Sequence, residues 1–248
     1  MEWLAACGGG AFVLASFVLG LRLMLLASRT RGLPELVLGT GLFLMGGVGY
    51  PLLVTAQQAQ NAPPDLRVAL LVTTMVFNTG GMTAVAWFTR RVFRPASRTA
   101  GAAVLGVLAT YAGLMTAQGL GPGMEALLAD PHGPWWSSTF MSVLVLLWSG
   151  VESLRYHLLL RKRLGLGLAD PVVADRFRLW AISMFCAGSI SASSLALDLL
   201  FGVAASDITV TGLLVGPLGL ACATALWLAF LPPAAYTRRV QARAAARA

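Results

Sequence analysis

RLWAISMFCAGSISASSLALDLLFGV, residues 178–203, decides how the whole chain is read. It exceeds the roughly 20 mostly apolar residues that cross a hydrocarbon layer as a helix. Within it lie Ser189, Ser191, Ser193, Ser194 and one acid, Asp198. Six more runs of comparable length and apolarity occur at about 3–27, 34–56, 68–89, 99–120, 136–158 and 208–231. Of the 248 residues, 57% are hydrophobic and 11% are charged, where a soluble domain carries about a quarter charged residues. The connections between runs are too short for a separate soluble domain. The expected architecture is therefore an all-α membrane protein, a seven-transmembrane-helix bundle over 1–231, with a short basic tail helix over 232–248.

The net charge of +8 is distributed as topology rather than as a nucleic-acid surface. Arg22, Arg29 and Arg31 follow run one, and Arg90, Arg91, Arg94 and Arg98 lie between runs three and four. Arg155, Arg161, Lys162, Arg163, Arg176 and Arg178 lie between runs five and six. Arg238, Arg239, Arg243 and Arg247 close the chain, which leaves Arg67 alone on the other side. Cations on alternate connections put the N-terminus outside and the C-terminus in the cytoplasm. The same arginines are attracted to an anionic inner leaflet, so the lipid bilayer is the expected partner and nucleic acid is not. The first run has no positive segment ahead of it, so it reads as an anchor and not as a cleaved signal peptide. One Lys against seventeen Arg, with abundant Ala, Gly and Leu, points to a bacterium of high GC content and to its inner membrane.

A charge at mid-bilayer costs about 2.5–3.5 kcal/mol on insertion scales, so the acids inside the runs are singled out first. Ser183, Ala187, Ser191, Ser194 and Asp198 follow helical steps and form one small, polar stripe. Two readings of it stand. In one, the serines bond to their own helix and Asp198 reaches the interface. In the other, the stripe lines an outward-facing ligand cavity. Tyr50, Arg67 and Gln118 are its candidate neighbours, with Thr74, Asn78 and Tyr111 deeper. A second polar face carries Ser142, Ser149, Glu152 and Tyr156. Glu152 with Arg155 reads as a structural pair, or as a cytoplasmic switch holding Arg90 or Arg91. Asp170 followed by Pro171 is an N-cap with proline at the first helical position. It starts the sixth helix, on which Asp175 and Arg178 are spaced to pair.

Small residues recur at helical spacing in run four (Ala102, Gly106, Ala109, Gly113, Ala117) and run seven (Gly212, Gly216, Gly219, Ala223). Both stripes are expected to pack helices closely. Pro217 is expected to kink the seventh helix. Cys7, Cys186 and Cys222 are expected to be buried thiols. In the 121–135 connection Glu125, Asp130 and His132 read as solvated residues rather than metal ligands, and Trp135 and Trp136 as an interfacial belt. The seventh run holds no Lys, which excludes a retinal Schiff base there. There is no Walker motif, GxSxG or HExxH. Neither enzyme, cofactor nor metal is expected.

The seven-helix plan ending in Pro233-x-x-Tyr236 superficially resembles a G-protein-coupled receptor. WFTRRVFRP (87–95) departs from it by lacking Asp-Arg-Tyr, and there is no outer cysteine pair. The chain is more similar to the seven-helix sensor regions of bacterial histidine kinases and related bacterial membrane proteins. In those, the last helix exits into a segment like Tyr236-Thr237-Arg238-Arg239 ahead of a signalling domain. This resemblance implies a sensor or receptor-like protein, with a small or lipidic ligand among spans two, three, four and six. It also implies a separate cytoplasmic signalling partner. A solute transporter or channel, and a structural membrane subunit, are the alternatives.

Overall fold

Inside hydrocarbon each backbone N–H and C=O must find its partner within the chain, so long apolar runs close into helices. The computed structural model describes residues 2–59, 61–119, 135–201 and 208–245. Its helices are α1 (Glu2–Thr30), α2 (Leu33–Leu42), a π-helical turn (Phe43–Gly49), α3 (Tyr50–Gln58), α4 (Pro64–Phe93) and α5 (Arg98–Gly119). They continue as α6 (Trp135–Leu164), α7 (Pro171–Phe201), α8 (Ile208–Phe230) and α9 (Ala234–Ala245). Six stretches among the described residues are long and apolar enough to cross a membrane. Leu214–Phe230 with Ala234–Ala245, bent by 79°, makes a seventh if that pair is one span. The chain is a multi-pass, all-helical membrane protein.

Chain punctuation sets the ends. Asp170 Oδ1 accepts from Val172 N at 2.8 Å, and α7 begins at Pro171 as its N-cap requires. Pro95 forces Arg94 out of the helical region (φ −137°), so α4 stops at Phe93. Pro232 and Pro233 lack N–H groups, and there the chain leaves α8 and turns into α9. α8 runs unbroken through Pro217.

The spans close into a ring. α1 packs on α2 and α8, α2 on α4, α4 on α6, α6 on α7, and α7 on α8. α5 stands outside this ring, against α4 and, more lightly, α6. Only 17% of its apolar window is buried, against 50% for α6. Its small-residue stripe faces outward: Ala102, Gly106, Ala109, Gly113 and Ala117 are exposed, and a Cβ on Gly106 or Gly113 would meet nothing within 4 Å. That stripe does not pack helices within this chain. The stripe on α8 does. A Cβ on Gly216 would lie 2.9 Å from the Leu4 carbonyl, and one on Gly219 would lie 2.9 Å from that of Gly8. Gly212 lies outside the described side chains. A second close crossing sets Gly20 of α1 against Gly39 of α2, where a Cβ on either would come 2.9 Å from the other's carbonyl oxygen.

The π-turn interrupts the second span just before Pro51. A proline ring clashes with the carbonyl four residues back and offers no N–H to it. Widening the helix relieves that conflict, and Tyr50 N reaches back to the Met45 carbonyl instead. Gly46 and Gly47 let the widened turn press on α1, where Ser16 and Phe17 stand at van der Waals distance. Of the cysteines, Cys222 is buried and Cys186 half-buried, but Cys7 is exposed on the bundle's flank. α1 turns that position away from its two neighbours.

Candidate functional site

The half of the bundle away from the clustered arginines holds a partly open cavity of about 270 Å³. α1, α4, α6, α7 and α8 line it, the second span reaches it through the π-turn and α3, and α5 does not line it. α4 supplies Thr74, Asn78 and Met82, one helical face at steps of four. α7 supplies Ala187, Ile190, Ser191 and Ser194, the expected stripe. Tyr50, Leu53 and Val54 come from α3, and Ser138, Thr139, Ser142 and Leu146 from α6. Phe12 and Met45 close an apolar side, with Tyr50 edge-on to Phe12 at a ring separation of 6.0 Å.

The hydroxyls are not equivalent. Ser191 Oγ donates to its own helix at Ala187 O (3.2 Å), as the first reading of the stripe expected for the serines. Ser142 Oγ donates to Ser138 O at 3.0 Å, which leaves its lone pair to accept from Tyr111 Oη at 2.8 Å. Thr74 differs. It is 1% exposed, lines the cavity, and its hydroxyl has no hydrogen-bond partner among the described residues. A buried hydroxyl left unpaired costs about 1–3 kcal/mol; those of Ser16, Thr83 and Ser153 are unpaired as well, but only that of Thr74 belongs to the cavity lining.

Of the expected site residues, Tyr50, Asn78, Ser191 and Ser194 come together with Thr74. Tyr111 does not line the cavity; it stands behind Ser142, because its helix is outside the ring. Arg67 is half-buried on α4, seven residues before Thr74, and is not part of the lining. The side chains of Gln118 and Asp198 lie outside the described residues, as do Glu125, Asp130 and His132 and the side chains of Trp135 and Trp136. The sequence reading missed α1, α6 and α8 as walls. The cluster Ser137-Ser138-Thr139 at the start of run five was the available signal.

The opposite end carries the charges. Glu152, 8% exposed, is gripped at both oxygens by Arg94, whose Nε and Nη2 lie at 3.0 and 3.1 Å. Arg155 adds a longer contact of 3.7 Å. The hydrogen bond to Glu152 and its charge raise the Arg94 guanidinium above its ordinary pKa. Arg90 and Arg91 are not the partners. Arg90 points at α5, where a Cβ on Gly101 would sit 3.2 Å from its Nε, and Arg91 is exposed. Arg94 stands at the C-terminal cap of α4, where Pro95 turns the backbone out of the helical region. Beneath the pair, Phe93, Tyr156 and Phe177 meet edge to face at 4.7–5.7 Å.

The expected Asp175–Arg178 pair forms at 2.7 Å. Tyr236 Oη donates to the other Asp175 oxygen at 2.6 Å and ties α9 to α7. Burial first, and then this bond, holds the Tyr236 phenol above its ordinary pKa, with Arg178 pulling it down. His157 is buried, and its Nδ1 lies 2.6 Å from the Ala174 carbonyl. That oxygen only accepts, so Nδ1 carries the proton. No group of three His, Cys, Asp or Glu fit to hold a metal occurs among the described residues. No protein-family model, curated protein or solved structure matches this chain.

Proposed function

We propose that this protein is a bacterial inner-membrane sensor or receptor-like protein that binds a small amphipathic ligand in the ring cavity. The observation that carries the reading is Thr74. Its unpaired, fully buried hydroxyl faces a cavity that sets Asn78, Tyr50 and Ser194 against an apolar wall. Ligand sites combine a mostly apolar lining with a few placed polar groups in about this way. At about 270 Å³ the cavity sits just below the usual range of roughly 300–1,000 Å³, which favours a small molecule. A purely structural subunit has no use for such a space, since packing it would lower the energy.

The N-terminus then faces outward and α9 the cytoplasm, on the strength of the arginine distribution. A fluorescent protein fused after Ala248 should fold and fluoresce, while alkaline phosphatase at the same position should stay inactive. The reverse pair of results would invert the topology. For the cavity, the purified protein in nanodiscs is heated with a panel of medium-chain alcohols, ketones and lactones. At least one should raise the melting temperature of the parent and fail to do so for Asn78→Leu and Thr74→Val. Equal shifts in parent and variants for every compound would remove the cavity from consideration.

A further inference from the structure

The basic end holds a second concavity, a groove of about 770 Å³ between the last turn of α6, the first turns of α7, and α9. Four guanidiniums line it: Arg161 from α6, Arg178 from α7, and Arg239 and Arg243 from α9. Among the described residues Asp175 is the only carboxylate in the lining. Both its oxygens are already engaged, one by Arg178 at 2.7 Å and the other by Tyr236 at 2.6 Å. Asp170 is committed to capping α7. Among the described residues Arg161, Arg239 and Arg243 make no ion pair. The amino end of α7, at Pro171, adds its partial positive charge to the same space.

Three guanidiniums from two elements that share one groove without an ion pair repel one another. α9 has no buried residues; it is held over the groove through Tyr236, which packs against Leu179, Ala225 and Ala229 and bonds Asp175. An anion between the arginines removes the repulsion. The planar fork of each guanidinium matches two oxygens of a tetrahedral oxyanion. Leu164, Pro171 and Val240 supply apolar rims beside the charges. We propose that this groove binds a phosphoryl group, clamped by Arg161, Arg239 and Arg243, either on an anionic lipid headgroup or on a soluble phosphate compound.

The test uses the full chain in phosphatidylcholine nanodiscs at low salt. One arm adds pyrophosphate to the solution, and the other replaces part of the lipid with phosphatidic acid. Melting temperature and native mass spectrometry report binding. The parent should bind at least one probe, and Arg239→Gln with Arg243→Gln should weaken it by about tenfold for each fork removed. Arg238→Gln, on the same helix but outside the lining, is the control and should change binding by less than about twofold. Loss of the phosphatidic acid response alone identifies a lipid headgroup, and loss of the pyrophosphate response identifies a soluble ligand. The proposal is overturned if neither probe binds the parent, or if the double variant loses no more than the control. These outcomes are independent of the cavity at the other end, whose variants leave the groove intact.

Discussion

Glu152 and Arg94 are the residues whose partnership the sequence half revealed. An acid one turn inside a span demands a cation, and FRP at 93–95 places an arginine at a forced helix end. The linear reading named Arg155, Arg90 and Arg91 as partners and passed over Arg94, the residue that grips both carboxylate oxygens. The energetics give an ordered expectation. Arg94→Leu strands a nearly buried carboxylate, while Arg94→Leu with Glu152→Leu removes the charge and its need together. Thermal melting should rank the single Arg94 variant lowest and bring the double variant back toward the parent. Losses that simply add would show that the pair is not coupled. Tyr236 makes a second case. Its phenol is raised, so its bond to Asp175 is fully present below the ordinary phenol pKa and fades only as pH climbs through the folded value. Tyr236→Phe should therefore cost about 1 kcal/mol or less, equally in mildly acidic and mildly alkaline buffer. A loss that grows or shrinks between those two conditions would assign the pH dependence to another group.

At the scale of helices, two stripes of small residues with the same spacing have opposite fates. Spacing alone says that a helix has a smooth face, and it does not say what that face meets. Run seven shows Gly216 and Gly219 locked against α1, while run four turns Gly106 and Gly113 outward. The discriminating signal lies in the partner: α1 carries Gly8, Gly9 and Gly10 at the matching depth, and nothing comparable faces α5. Gly106→Ala should raise stability by about 0.5–1 kcal/mol, the ordinary gain of alanine inside a helix. Gly216→Ala should lower it, because the added methyl meets the Leu4 side chain and, behind it, the Leu4 backbone carbonyl at 2.9 Å, which cannot move aside. Thermal denaturation in one detergent compares them directly, and a stabilising Gly216→Ala would refute the α1–α8 contact. The π-turn belongs to the same scale. Pro51 follows the widened turn directly, and a Cβ on Gly46 or Gly47 of that turn would run into Ser16 or Phe17 of α1.

For the whole molecule, the all-helical, multi-pass plan of six or seven spans was legible because the bilayer reduces it to length and punctuation. The order of spans around the ring was not, since apolar surfaces of similar composition do not name their neighbours. That single ambiguity explains the misassigned walls: counting α5 among them brought Tyr111 to the site and left α1, α6 and α8 out. The ring also bears on transport. A conducting path needs polar groups from the cavity to Glu152. Below Met82 and Leu146 the interior among the described residues is instead a fully buried apolar layer of Val85, Met184 and Leu226. The buried hydroxyls under it are spoken for in part, with Ser149 accepting from Trp180 Nε1 at 3.2 Å and Ser183 donating to the Trp180 carbonyl at 2.8 Å. A dry plug of this kind is a barrier to ions, because each unsatisfied polar group in it costs several kcal/mol. Proteoliposomes should then show no ion or small-solute flux above empty vesicles. Val85→Ser with Met184→Ser, which wets the layer, should create a leak while the cavity variants do not. Flux through the parent at a rate equal to that of the serine variant would mean that the plug opens in the membrane, and the receptor reading would yield to a transporter.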